Sequence, residues 1–371
     1  MKIGMVLYPT YGGSGVVGTE LGKALASKGH EVHFITYSQP VRLGSFSENI
    51  FYHEVVVSDY PLFDFQPYEI ELTSKMVDVV KHEKLDLLHV HYAIPHASAA
   101  FMAKQILNSQ GIKIPFITTL HGTDITLVGK DPSFEPVITF CINESDAVTA
   151  VSQSLKNSTY EHFGITREID VIPNFIVVND SDSNFKEKMR RKYAHEGEKI
   201  ICHISNFRKV KRIDDVVRVF EKISQSIPSK LILIGDGPER SNAEKLSREL
   251  KIDAKVIFLG KLRDTSHVLS FSDLFLLPSE TESFGLAALE AMALGVPVIS
   301  SNTGGIPEVN EHGFSGFLSD VGDVEDMAKN ALIVLSDSEL IKFKTQAKQK
   351  ATDFTIEKIL PLYEKIYLKL V

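Results

Sequence analysis

Short apolar runs rich in β-forming residues alternate with helical segments along nearly the whole chain, and the rhythm runs twice. The first series of expected strands is Lys2–Leu7, Glu31–Tyr37, Leu85–Val90, Pro115–Leu120 and Ala147–Val151. The second is Lys199–Ile204, Lys230–Ile234, Lys255–Leu259, Leu274–Leu277 and Val296–Ile299. Strands separated by helix-length crossovers pair in parallel, with helices on the sheet faces, so each series predicts one doubly wound α/β domain. Between them, "NDSDSNFKEKMRRKYAHEGEK" is polar and lacks a strand-like core pattern, which sets the boundary near residues 175–185. The expected organisation is a domain over 1–175, a second over 176–350, and an amphipathic helix within 351–371 whose packing, including a return to the first domain, is left open.

Composition narrows the partners. Residues 1–170 carry 12 Lys+Arg against 19 Asp+Glu, and the 371-residue chain has a formal charge of −8. An acidic first half disfavours nucleic acid and anionic membrane. The apolar run Ile3–Leu7 is far short of a bilayer span of about 20 residues, so a cytoplasmic protein is expected. Cys141 and Cys202 lack metal-type or disulfide-framework spacing and read as buried thiols. Homo-oligomerisation is left open.

The opening "YPTYGGSGVVG" places Gly13, Gly15 and Gly18 in a G-x-G-x-x-G spacing after the first strand. Such a turn brings backbone amides and a helix N-terminus onto a phosphate. A dinucleotide site also needs an acid at the end of the next strand, where this chain has Thr36, Tyr37 and Ser38. Nicotinamide chemistry is therefore disfavoured, and no cofactor is expected. The competing reading is a glycine-built strand-to-helix turn without a ligand.

In the second half, "PSETESFGLAALEAMALGVPVISSNTGGIPEV" sets Glu282 and Glu290 around Ser283, Phe284 and Gly285. Ser283 is the expected N-cap, which would leave the amides of Phe284, Gly285 and Leu286 free for a phosphate or sugar oxygen. "NFRKVKR" supplies Arg208, Lys209, Lys211 and Arg212 at a strand's C-terminal end, where open α/β sheets bind ligands. "LIGDGPE" adds a turn after the next strand. His89, His91 and His96 are dense, but no acid or cysteine nearby completes a ligand set, so no metal is expected there. Asp180 and Asp182 form a D-x-D that reads as solvated linker charge.

Lys211, "GDGPE", the Glu282/Glu290 pair and "GVPVISSNTGGIPE", with "GGSG", "LHVHYAIPHA", "TTLHGTDIT" and "IPNF", resemble the retaining family-4 glycosyltransferases of the GT-B fold over nearly the whole chain. The resemblance implies two Rossmann-like domains facing across a cleft, the first on the acceptor side and the second binding the nucleotide sugar. More narrowly, "SQPVRL", "HYAIPHA", "LHGTDITLVG" and "SNFRKVKR" resemble the branch of that family that serves bacillithiol biosynthesis. That branch implies transfer of GlcNAc from UDP-GlcNAc to the hydroxyl of L-malate, with UDP leaving.

The same resemblance assigns Glu290 to the ribose and Glu282 to the hexose hydroxyls. It gives the amides of Phe284 to Leu286 to sugar and phosphate, and Arg208 and Lys211 to the diphosphate. Gly13 and Gly15 would meet the diphosphate from the first domain, and His121 the donor sugar. Asp124 reads equally as a helix cap or a site-orienting group. Ser14, Tyr92, Thr119 and Asn174 are the acceptor candidates. Two departures from the family pattern stand out: Asn206 where relatives often carry arginine, and Thr139 where the malate branch often carries one, with Arg42 a substitute. The alternatives are a family-4 transferase with a lipid or glycan acceptor, and a GT-B-fold UDP-sugar epimerase.

Overall fold

The computed structural model describes residues 1–44, 47–57, 67–127, 129, 131–177 and 183–371, without the side chains of 127 and 183–185. Asp180 and Asp182 lie outside the described residues. The chain packs as two compact units, Met1–Phe175 with Ile356–Val371, and Ile176–Thr355.

The first unit runs β1 (Lys2–Val6), α1 (Gly13–Ser27), β2 (Glu31–Thr36), β3 (Ile50–Glu54), α2 (Tyr68–Glu83), β4 (Leu87–His91), α3 (Ser98–Ser109), β5 (Phe116–Leu120), α4 (Glu135–Glu144), β6 (Ala147–Ala150), α5 (Gln153–His162) and β7 (Ile169–Val171). Its strands form one sheet ordered β3-β2-β1-β4-β5-β6-β7, all neighbours parallel. Side chains alternate between the two faces. Val6, Ile35, Leu88 and Val90 pack with Leu72, Met76 and Val80 of α2. Met5, His89 and His91 point to the other face by the same alternation.

The second unit runs α6 (Ser183–Tyr193), β8 (Lys199–Ile204), α7 (Ile213–Ser226), β9 (Ser229–Ile234), α8 (Arg240–Glu249), β10 (Val256–Gly260), α9 (Ser266–Ser270), β11 (Leu274–Leu277), α10 (Leu286–Ala293), β12 (Val298–Ser301), α11 (Ile306–Val309), β13 (Gly316–Ser319), α12 (Val324–Leu335) and α13 (Asp337–Ala351). Its sheet is ordered β10-β9-β8-β11-β12-β13, again parallel. Ile201, Leu231, Leu233, Leu274, Leu276 and Ile299 pack on α7 and α12 through Val216, Phe220, Met327 and Ala331.

The chain then returns to the first unit as α14 (Ile356–Leu370). Its Ile359, Leu360, Tyr363, Ile366 and Tyr367 are buried, and Glu364 meets His30 at 3.3 Å. Strands β3, β7 and β13 were not anticipated. All three lie at sheet edges, and β3 carries the half-exposed sequence IFYHE in place of a continuous apolar run. Each sheet reverses its strand order once, at β1/β4 and at β8/β11, and such reversals open the crevices in which α/β sheets bind ligands.

Candidate functional site

In the first unit, Ser14, Tyr92 and His121 come together at the β1/β4 reversal. α1 starts at Gly13 with Gly12 as an N-cap that makes no side-chain bond, so the first amides have no intrahelical acceptor. Gly15 lets the turn close: a Cβ there would stand 2.5 Å from the carbonyl oxygens of both Tyr8 and Thr10. Ser14, in the first turn, meets the Tyr92 hydroxyl at 2.6 Å. Tyr92 directly follows β4 with φ 90°, a rare conformation for a non-glycine residue, and its amide donates to Thr119 O at 2.9 Å. Burial pushes its phenol up to about 12, so it stays protonated.

His121, directly after β5, places Nε2 at 2.7 Å from His91 Nδ1, with the rings stacked at 5.0 Å. The other nitrogen of His91 faces Met5 Sδ at 3.2 Å. A thioether only accepts, which assigns the His91 proton to Nε2, makes His121 Nε2 the donor to His91, and leaves His121 Nδ1 as a lone-pair acceptor. Asp124 takes the amides of Ala93 at 2.8 Å and Gly122 at 3.1 Å, tying the loops after β4 and β5 together. Burial lifts its pKa to about 6 against these bonds. It thus orients loops from within rather than facing a ligand.

Thr119 is corrected. It is fully buried and its hydroxyl is committed to His89 and Thr149, both at 2.7 Å, so it supports the cluster from behind. Asn174 is buried with its side-chain oxygen lacking a partner. Arg42 sits in the loop after β2, where its carbonyl takes Lys23 Nζ, and Thr139 on α4 donates to Glu135.

His89, His91 and His96 are fully buried, and burial is the main reason their pKa values fall, to about 3 for His89, to about 4 for His96 and well below 6.5 for His91. All stay neutral in the fold while their unfolded counterparts protonate near 6.5. The stability they contribute is therefore complete above pH 6.5 and lost as pH falls toward 4. Each withdraws on the order of 1 kcal/mol per pH unit in that window. The denaturation midpoint is expected to drop steeply between pH 6.5 and 5, and His96→Asn should flatten the slope; a midpoint constant over that range would contradict the burial argument.

In the second unit the cluster forms at the β8/β11 reversal. The amide of Glu280 donates to Val210 O at 2.8 Å, joining the loops that follow the two strands. Across that junction Lys211 Nζ and Glu282 Oε2 meet at 2.5 Å, both largely shielded. The amide of Gly305 donates to Glu282 O at 2.9 Å, so the "TGG" turn fixes the acid's backbone. Arg208 is exposed at the start of the turn carrying Lys211, and the Asn206 carbonyl faces Gly237.

Ser283 is not the N-cap. α10 starts at Leu286 after Gly285, whose φ of 95° makes the turn, and Phe284 is buried against Phe354. A glycine with left-handed backbone displaced the serine signal by two residues. Glu290 lies one turn into α10, partly exposed. Sequence reasoning missed His203, fully buried under this junction, which donates from Nδ1 to Leu276 O and receives Ser205 Oγ at Nε2. Its only signal was a polar residue inside an apolar strand.

The model "Glycosyltransferase Family 4" matches residues 11–180, and "Glycosyl transferases group 1" matches residues 185–353. The chain is 50% identical over 373 residues to an N-acetyl-alpha-D-glucosaminyl L-malate synthase of Bacillus anthracis, covering 99% of this chain and 96% of that one. It is 31% identical to an uncharacterized glycosyltransferase of Methanocaldococcus jannaschii, covering 91% and 90%. Among solved structures, Anabaena HepE in complex with UDP-glucose superposes with a TM-score of 0.80 over 100% of both chains at 19% identity. Sucrose-phosphate synthase from Thermosynechococcus elongatus gives 0.79 over 100% and 99% at 20% identity. These likenesses identify the architecture as the GT-B fold. The two family matches and the full-length relatives together establish that the chain belongs to the family-4, group-1 glycosyltransferases.

Proposed function

We propose that the chain transfers GlcNAc from UDP-GlcNAc to the hydroxyl of L-malate with retention of configuration, in the cytoplasm, as the first step of bacillithiol synthesis. The observation that carries this is the 50% identity across 99% of the chain to an N-acetyl-alpha-D-glucosaminyl L-malate synthase. The chemistry of the two clusters supports it.

In the second unit, Lys211 and Arg208 neutralise the diphosphate as negative charge builds on departing UDP. Glu282 orients Lys211 and holds sugar hydroxyls, the amides after Ser283 take sugar and phosphate oxygens, and Glu290 takes the ribose. In the first unit, the lone pair assigned to His121 Nδ1 suits a sugar hydroxyl donor. The uncapped start of α1, with Gly13 and Gly15, suits an anion. Malate needs donors for its carboxylates: the Ser14 and Tyr92 hydroxyls are candidates. So is Asn174, whose amide, turned over, would present NH₂ where the unpartnered oxygen stands. No carboxylate is assigned as a nucleophile, so the attack is front-face, and the leaving phosphate takes the malate proton. The cations replace a metal in this scheme.

The test is UDP release from UDP-GlcNAc with EDTA present, comparing L-malate, D-malate and no acceptor, with the product identified by mass. Strong release with L-malate and a GlcNAc-malate mass are expected. Malate-independent release, or interconversion of UDP-sugars without release, would overturn the assignment.

A further inference from the structure

On the α2 face of the first sheet, opposite the His89–His91 stack, a second imidazole cluster stands outside the proposed transfer chemistry. β2 and β3 pair in parallel with Ile35 opposite His53, so His33 and His53 lie diagonally on one face. Their rings stack at 5.2 Å, and His33 Nδ1 and His53 Nε2 are 2.9 Å apart. Glu83, the last residue of α2, completes the group: one ligand atom from each of His33, His53 and Glu83 lies within 4.8 Å of the others.

As a purely structural arrangement the pair is incompletely satisfied. His33 is fully buried, and its Nε2 has no partner. If Nδ1 donates to His53, a bare lone pair is left buried at Nε2; if it accepts, an N–H is left there. Binding an ion through the facing nitrogens would leave this buried atom as an N–H, so its want of a partner is not what the ion relieves. Burial holds His33 near 4 and lowers His53, so both rings are neutral at neutral pH, and each has one ring nitrogen with a lone pair to offer.

We infer that His33, His53 and Glu83 form a binding site for a divalent transition metal of the zinc type. Two neutral imidazoles and one carboxylate are the donor set such ions take, with a water completing four-coordination. Metal–ligand bonds of about 2.0–2.2 Å put donors on one ion roughly 3.2–4.2 Å apart. The facing nitrogens therefore open by a few tenths of an ångström, and Glu83, partly exposed at a helix end, moves in. Whichever ring donates in the free pair shifts its proton to its distal nitrogen, so no net proton is released. The ion would pin edge strand β3 to β2 and to the end of α2, stabilising the edge by binding only the folded chain.

The test uses tag-free full-length protein stripped with chelator, then titrated with Zn²⁺ against a chromophoric competitor and with Co²⁺ by visible absorption. One equivalent of Zn²⁺, Co²⁺ d–d bands, and a metal-dependent rise in Tm are expected. His53→Gln and Glu83→Gln should each weaken binding by about 10-fold or more and abolish the Tm rise, with transferase activity unchanged. These two residues are partly exposed, so both variants should fold; the buried His33 is left intact. Substoichiometric binding, or equal affinity in the double variant, would overturn the site and identify a hydrogen-bonded histidine pair. Neither result bears on the transfer assay, which runs in EDTA.

Discussion

Lys211→Ala is expected to lower kcat for GlcNAc transfer to L-malate by roughly 10²–10³-fold, the scale seen when one preorganised donor to a developing negative charge is removed. The side chain is held at one place by Glu282 at 2.5 Å, and both are largely shielded, so no reorganisation is needed when UDP departs. Neither side chain is part of the hydrophobic core of the second unit, so the fold should persist, with some loss of melting temperature because Glu282 is left shielded without its ammonium partner. Lys211→Arg should recover little, since a planar guanidinium does not fit a point-charge contact with one carboxylate oxygen. Glu282→Gln should be impaired as well, and the double variant less than additively, because both act through the same ammonium. A wild-type kcat in Lys211→Ala would remove the leaving-group role from this residue.

Gly235→Ala should produce a large loss of stability. A Cβ at this position would stand 1.8 Å from Ser205 O and 2.9 Å from Ser205 C, and the backbone has φ 126°. Both obstacles are main chain, so no rotamer change relieves them. The Gly235 amide also donates to Gly260 O at 2.8 Å, which anchors the turn to β10. We expect a cost of about 3 kcal/mol or more. In a unit of this size that lowers Tm by about 2–4 °C per kcal/mol. Because the obstructed carbonyl begins the loop that carries Arg208 and Lys211, kcat should fall too. Gly197→Ala is the control: it has φ 84° with nothing within 4 Å of the new carbon, so its cost is limited to backbone strain of about 1–2 kcal/mol. Thermal unfolding of both variants decides the matter; a Gly235→Ala protein melting within 2 °C of the parent would refute the packing argument, by the same scale.

The interior of both sheets was legible because parallel strands covered on both faces are written as nearly unbroken apolar runs, as in Lys199–Ile204 and Leu274–Leu277. Edge strands are written less clearly: β10 keeps an apolar run, VIFLG, and was legible, but β3 is half-buried or exposed at every position, as any loop could be. The cations and acids of the second cluster were legible as types; their junction was not, because it depends on the Glu280–Val210 bond between segments 70 residues apart. Histidines 89 and 91 were visible as a dense pair but not as the scaffold of His121. That role depends on register, since β4 and β5 pair His91 with Thr119, bringing the residues beyond each strand end together. The displacement of the α10 start shows the limit of capping rules: an oxygen-bearing residue signals a cap only if the backbone allows the turn there, and Gly285 allowed it two residues later.

The return of α14 to the first unit has a consequence for the order in which the protein can be made. Tyr363 and Tyr367 are among the largest fully buried side chains, and the Tyr367 hydroxyl meets His89 Nδ1 at 2.8 Å. Residues 356–371 leave the ribosome only after all of 176–355. The second unit is one uninterrupted stretch and has every segment it needs first. The first unit, although synthesised earlier, waits with an unfilled interior beside His89 until the helix arrives, reversing the usual sequence in which N-terminal domains finish folding before those that follow.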